Sequence, residues 1–116
     1  MIQLLLKRAL AALAVPCALL LTAAAPAPQA GTTAKVVIGN FTFGPAALVV
    51  RPGTTVTWVN GDDIPHTVVA DDRKAFRSKV LDSDDSFSFT FATPGTYPYF
   101  CSIHPHMTGK VVVKAP

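Results

Sequence analysis

Four side chains able to bind a soft metal stand out in this chain of 116 residues. Three share the run Cys101-Ser102-Ile103-His104-Pro105-His106-Met107, at a C-x2-H-x2-M spacing. The fourth, His66, comes from far upstream, just after Asp63-Ile64-Pro65. One thiolate, two imidazoles and one thioether suit copper: two His and one Cys in a plane, with a long axial Met, form an electron-transfer geometry. Zinc more often takes several cysteines or a carboxylate, and no methionine. Taken singly, each residue has a plainer reading. A cysteine in an apolar strand is a small hydrophobe and a methionine fills gaps, while His66 would simply open a strand. The spacing, and the position of the run between two predicted strands, sets the group apart.

The elements that must position these residues read as strands. No helix-period segment appears after residue 31. Short β-branched runs punctuated by Gly, Pro, Asn and Asp do. Lys35 to Ile38, Phe41 to Phe43, Leu48 to Val50, Thr54 to Val59, His66 to Ala70, Ser86 to Phe91, Thr96 to Cys101 and Lys110 to Val113 are the candidates. Ser86 to Phe91 alternates cleanly, with three Phe on one face. Residues 71–85, mixed in charge, read as an exposed connection with one helical turn. Seven to eight short strands with frequent turns predict an all-β fold, an antiparallel Greek-key β-sandwich. In such a fold the loop from Cys101 to Met107 turns its three ligating side chains toward one point.

Residues 1–30 differ in kind. Lys7 and Arg8 precede an apolar stretch from Ala9 to Ala25, and small residues follow. That is the pattern of a secretory signal peptide, with the mature domain spanning 31–116. Pro16 and the shortness of the apolar run argue against a membrane anchor, so no stable membrane insertion is expected once the leader is removed. Cys17 lies in the leader, which leaves Cys101 alone in the exported part. A single thiol in an oxidising compartment needs a reason, and metal binding supplies one. Without Lys7 and Arg8 the chain has eight basic residues against seven acidic ones. Such a near-neutral body lacks the basic face that nucleic acid requires.

The runs Asp62-Asp63-Ile64-Pro65-His66-Thr67 and Cys101 to Met107 resemble the copper motifs of the cupredoxin (type 1 blue copper) family, most of all its amicyanin and plastocyanin members. The resemblance covers nearly all of residues 34–114. It implies that His66, Cys101, His104 and Met107 ligate one type 1 copper, that Asn60 ties the His66 loop to the Cys101 loop through Ser102, and that backbone N–H groups near Thr67 bond the Cys101 sulfur. It gives His106 no ligand role. It also implies an apolar docking patch around His104, for which Phe43, Pro45, Ile64, Pro65, Pro105 and Met107 are the candidates. The charged segments Asp71 to Lys74 and Asp82 to Asp85 would steer partners or simply be solvated.

The expected function is then a periplasmic electron carrier rather than an enzyme. Its partners would be redox proteins, such as a c-type cytochrome or a dehydrogenase. Copper delivery or storage would use the same four residues. A thiol hydrolase built on Cys101 lacks a third orienting partner, and a multicopper oxidase would need more chain.

Overall fold

The computed structural model describes residues 32–116, so the expected leader, residues 1–30, lies outside the described residues. Within them the chain forms β1 (Thr33–Gly39), β2 (Thr42–Gly44), β3 (Ala47–Val50), β4 (Thr54–Asn60), β5 (Val69–Ala70), β6 (Ser86–Phe91), β7 (Gly95–Phe100) and β8 (Thr108–Val113). They build two four-stranded sheets, ordered β2-β1-β4-β6 and β3-β8-β7-β5. The sandwich is as expected, but the sheets are mixed. β1 runs parallel to β4, and β3 runs parallel to β8. Alternation along a strand identifies its inner face and says nothing of its neighbour's direction.

Period-two patterning makes the core. Along β4 the alternate residues Thr54, Val56, Trp58 and Asn60 are buried. Trp58 occupies the centre of the sandwich, within 5.4 Å of the Tyr99 ring from the opposite sheet and 5.7 Å of both Phe76 and Phe87. The three Phe of β6 do share a face, packing toward Trp58 and Phe76.

The segment 71–85 departs from expectation. No helical turn forms there, and Phe76, Ser78 and Leu81 are buried. Leu81 bridges His66, and Arg77 bridges Val69, so this stretch extends the sheet edge beyond the two-residue β5. The buried residues are spaced irregularly among charges, which hides them from a periodicity reading.

One close approach governs how β7 meets β8. Gly109 lies opposite Tyr99, and a Cβ there would come within 2.5 Å of the Tyr99 ring tip. Tyr99 is fully buried, with its ring packed edge-on to Phe43 and Trp58. Gly109→Ala is therefore expected to cost about 1–3 kcal/mol through overpacking. That corresponds to a fall of several degrees in Tm for a domain of this size. An unchanged melting curve would show that Tyr99 is freer than its packing indicates.

Candidate metal centre

Two connections meet at one end of the sandwich. The chain leaving β4 carries His66 and Thr67, and the chain leaving β7 carries Cys101 and His104. Their ligand atoms, one each from His66, Cys101 and His104, lie within 4.8 Å of one another. His66 and Cys101 are fully buried, and His104 is half-buried. The Cys101 sulfur is 3.8 Å from His66 Nδ1 and 3.7 Å from His104 Nδ1. The Cys101–Met107 loop is closed by its own backbone. Met107 N–H donates to the His104 carbonyl, and Cys101 N–H donates to the Met107 carbonyl. Met107 is buried on this loop, and His106 is exposed on it.

Hydrogen bonds dictate which lone pairs are free. His66 Nε2 lies 2.8 Å from Asp62 Oδ2. A carboxylate accepts, so Nε2 carries the ring proton and Nδ1 is left with a bare lone pair facing the sulfur. Asn40 and Phe41 N–H groups also donate to Asp62, at 2.6 and 3.1 Å. Those backbone donors, Phe41 first and then Asn40, hold the Asp62 carboxyl below the usual carboxylate range. Asp62 thereby stays ionised and continues to fix the His66 ring.

The sulfur has its own donors. Thr67 N–H reaches Cys101 Sγ at 3.4 Å and the Thr67 hydroxyl at 3.7 Å. That hydroxyl also meets Ser102 N and Ser102 Oγ, both at 2.7 Å. The pattern is satisfied when Ser102 donates twice to Thr67 Oγ1, leaving the Thr67 proton for the sulfur. Burial alone would raise the Cys101 thiol. Hydrogen bonding to the sulfur, that of the Thr67 N–H first, outweighs it and brings the group down to about 6.

A thiolate and two imidazole lone pairs converging in a buried space repel one another unless a cation lies between them. The donor set therefore fits a metal, and its mixture of thiolate and imidazole fits copper.

This linkage predicts a pH signature for the metal-free protein. The folded pKa of Cys101 lies below the ordinary 9.0. Its contribution to stability is thus complete above pH 9 and is lost as pH falls through about 6. The urea midpoint of the metal-free protein should fall between pH 9 and 6, and that slope should be absent in Cys101→Ala. Equal slopes in the two proteins would contradict a thiolate held by the fold.

Several expectations change at this site. Asn60 does not reach Ser102. Its side chain donates to the Ile64 and Leu81 carbonyls and accepts from Asp62 N–H. Thr67 makes the tie to Ser102 instead. A threonine hydroxyl next to His66 sits closer to the facing loop than a side chain at the end of β4 does. Phe43 and Met107 are buried and cannot contribute to an exposed patch, whereas Pro45, Pro65 and Pro105 are exposed and Ile64 is half-buried. Phe41 and Ile103, 50% and 44% exposed, join that surface. Asp62 and Phe41 were not legible as site residues. For Asp62 the available signal was a carboxylate four residues before His66. For Phe41 there was none.

A two-sheet sandwich with His, Cys and His converging between two loops at one end defines the type 1 copper class. The chain belongs to the cupredoxin-like domain family, whose sequence profile matches residues 9–113. Its cofactor is copper, one type 1 ion per chain. Among similar proteins, amicyanin-alpha of Methylorubrum extorquens is 36% identical over 98 residues, covering 81% of each chain. The amicyanin of Paracoccus versutus is 41% identical over 73 residues, covering 58% of this chain. This chain spans 54% of that relative's length. A solved amicyanin variant in the Cu(I) form superposes with a TM-score of 0.66 at 32% identity, covering 71% of this chain and 82% of the other.

The Thr67 hydroxyl should tune such a centre. A proton shared with the sulfur favours the reduced state, in which more negative charge remains on the thiolate. Thr67→Val removes only that hydroxyl and should lower the reduction potential by up to ~60 mV, a tenfold change in a one-electron equilibrium. Voltammetry of the copper-loaded variant tests this, and a potential that rises would reverse the assigned direction of the bond.

Proposed function

We propose that the mature chain, residues 31–116, is an exported one-electron carrier and not an enzyme, with His66, Cys101, His104 and Met107 as the ligands of its copper. The observation that carries this reading is the convergence of three ligand atoms within 4.8 Å on a rigid sheet end. Bound there, copper supplies a Cu(II)/Cu(I) couple. The residues supply the rest. Asp62 fixes the His66 ring, Thr67 steadies the Cys101 sulfur, and the loop bonds between Cys101, His104 and Met107 hold the spacing. A site held this firmly needs little rearrangement when an electron arrives or leaves.

His104 is the ligand nearest the surface, since His66 and Cys101 are fully enclosed. Electron exchange would occur across it, with a redox protein docking on Phe41, Ile103, Pro65 and Pro105. A c-type cytochrome or a dehydrogenase has the required chemistry. A small apolar contact suits a transient encounter. The leader-like residues 1–30 support export to the periplasm.

The test is a copper titration of residues 31–116, followed by cyclic voltammetry. A blue protein at one copper per chain, with a reversible couple, is expected. Tight copper binding without reversible electron exchange would move the assignment to copper delivery or storage.

A further inference from the structure

We propose that Phe41 is a positioning residue for the histidine pair, kept in a strained turn so that its ring braces His66 and His104. This rests on the copper-carrier reading of the site and extends it to a residue outside the ligand set. Four observations support it.

The first is the turn itself. β1 and β2 pair through Gly39 and Thr42, which leaves Asn40 and Phe41 as a two-residue connection. Both have positive φ, 50° and 59°. That is the signature of a type I′ turn, whose second central position favours glycine. A bulky residue with left-handed backbone is an outlier; such outliers persist only where the surrounding structure holds them, and they cluster at functional sites.

The second is that burial does not explain the choice, since Phe41 is half exposed to solvent. The third is where its ring lies. It stands edge-on to His104, 5.0 Å between centroids at 87°, and edge-on to His66, 5.8 Å at 85°. The two imidazoles are themselves 5.0 Å apart. They come from different connections, and Phe41 touches both.

The fourth is the anchor. Asp62 accepts from the N–H groups of Asn40 and Phe41 and from His66 Nε2. One carboxylate therefore locks the turn that carries the ring to the histidine that the ring supports. The brace is a closed circuit from Asp62 through the turn and the Phe41 ring back to His66. Through its second edge contact the brace reaches His104, the less enclosed histidine.

Three variants test the brace. Phe41→Ala and Phe41→Gly both delete the ring, but only glycine fits the turn. The glycine variant should melt above the alanine variant. In both, copper should pass to an excess of chelator about tenfold faster than in the wild type, the effect expected for losing an outer-shell support. The Cu(II) EPR pattern should change as well. In the metal-free proteins, the His66 and His104 ring proton resonances should lose the shift imposed by the Phe41 ring. Phe41→Tyr keeps the ring and should restore all three readouts. Wild-type release rates and EPR in both deletion variants would overturn the brace. An alanine variant that melts above the glycine variant would overturn the strain. A wild type that binds no blue copper would instead remove the carrier reading, so the two failures are distinguishable.

Discussion

Cys101→Ala is expected to fold and to lose its intense visible absorption completely. The side chain is fully enclosed, yet small, and alanine leaves a gap of one sulfur atom. The fold should tolerate this with a modest loss of stability, because Cys101 is a small member of a core built mainly on Trp58, Phe76, Phe91 and Tyr99. The metal centre should not tolerate it. The thiolate is the one strongly donating ligand of the proposed set, and the only one that carries charge. Its loss leaves two imidazoles and a thioether, a set with no thiolate-to-copper transition in the visible range. Absorption and EPR of the copper-treated variant provide the check. A retained blue band would mean that the colour does not come from a bond between copper and the Cys101 sulfur.

Trp58→Ala should have the largest effect on the fold. Trp58 touches aromatic rings from both sheets and from the 71–85 segment. Removing so large a core residue costs about 3–5 kcal/mol. Against a typical total of about 5–15 kcal/mol, that brings a domain of this size to the margin of stability. Guanidinium unfolding of the metal-free variant should show a midpoint near zero denaturant. Copper should recover part of the loss, since a ligand that binds only the folded state stabilises it by mass action. Trp58→Phe should fall between the two. A Trp58→Ala midpoint close to the wild type would mean that the two sheets are held together mainly by other contacts.

Copper rescue joins the two predictions. Trp58 packs on Tyr99, and Tyr99 lies on β7 two residues before Cys101, which follows directly after that strand. The core therefore fixes where β7 ends, and the end of β7 fixes where the sulfur sits. Gly109 belongs to the same assembly, since its missing side chain is what lets the Tyr99 ring lie across β8.

Much of this was written in the chain itself. Short alternating runs marked β4 and β6 almost to the residue, because one face of each meets the core and the other meets solvent or a half-covered edge. The spacing from Cys101 to Met107 marked one loop, since ligands so near in sequence share a turn whatever the rest of the chain does. The donor types pointed to copper before any geometry was known. The N–H contact from Thr67 to the sulfur was expected only from the family resemblance.

What tertiary structure alone decided involves residues that are distant in sequence or out of pattern. Alternation could not show that β1 and β4, or β3 and β8, run parallel, because inner and outer faces look the same in either direction. Phe76 and Leu81 were hidden among charges, since the segment lies along a sheet edge with no period of its own. Spacing could not choose between Asn60 and Thr67 as the tie to Ser102, which depends on distances across the gap between two loops. The meeting of Phe41 with Asp62 and His66 left no sequence signal beyond a carboxylate four residues before His66. It arises only when the β1–β2 turn folds over the end of the sandwich, and packing in three dimensions is what brings those three side chains together.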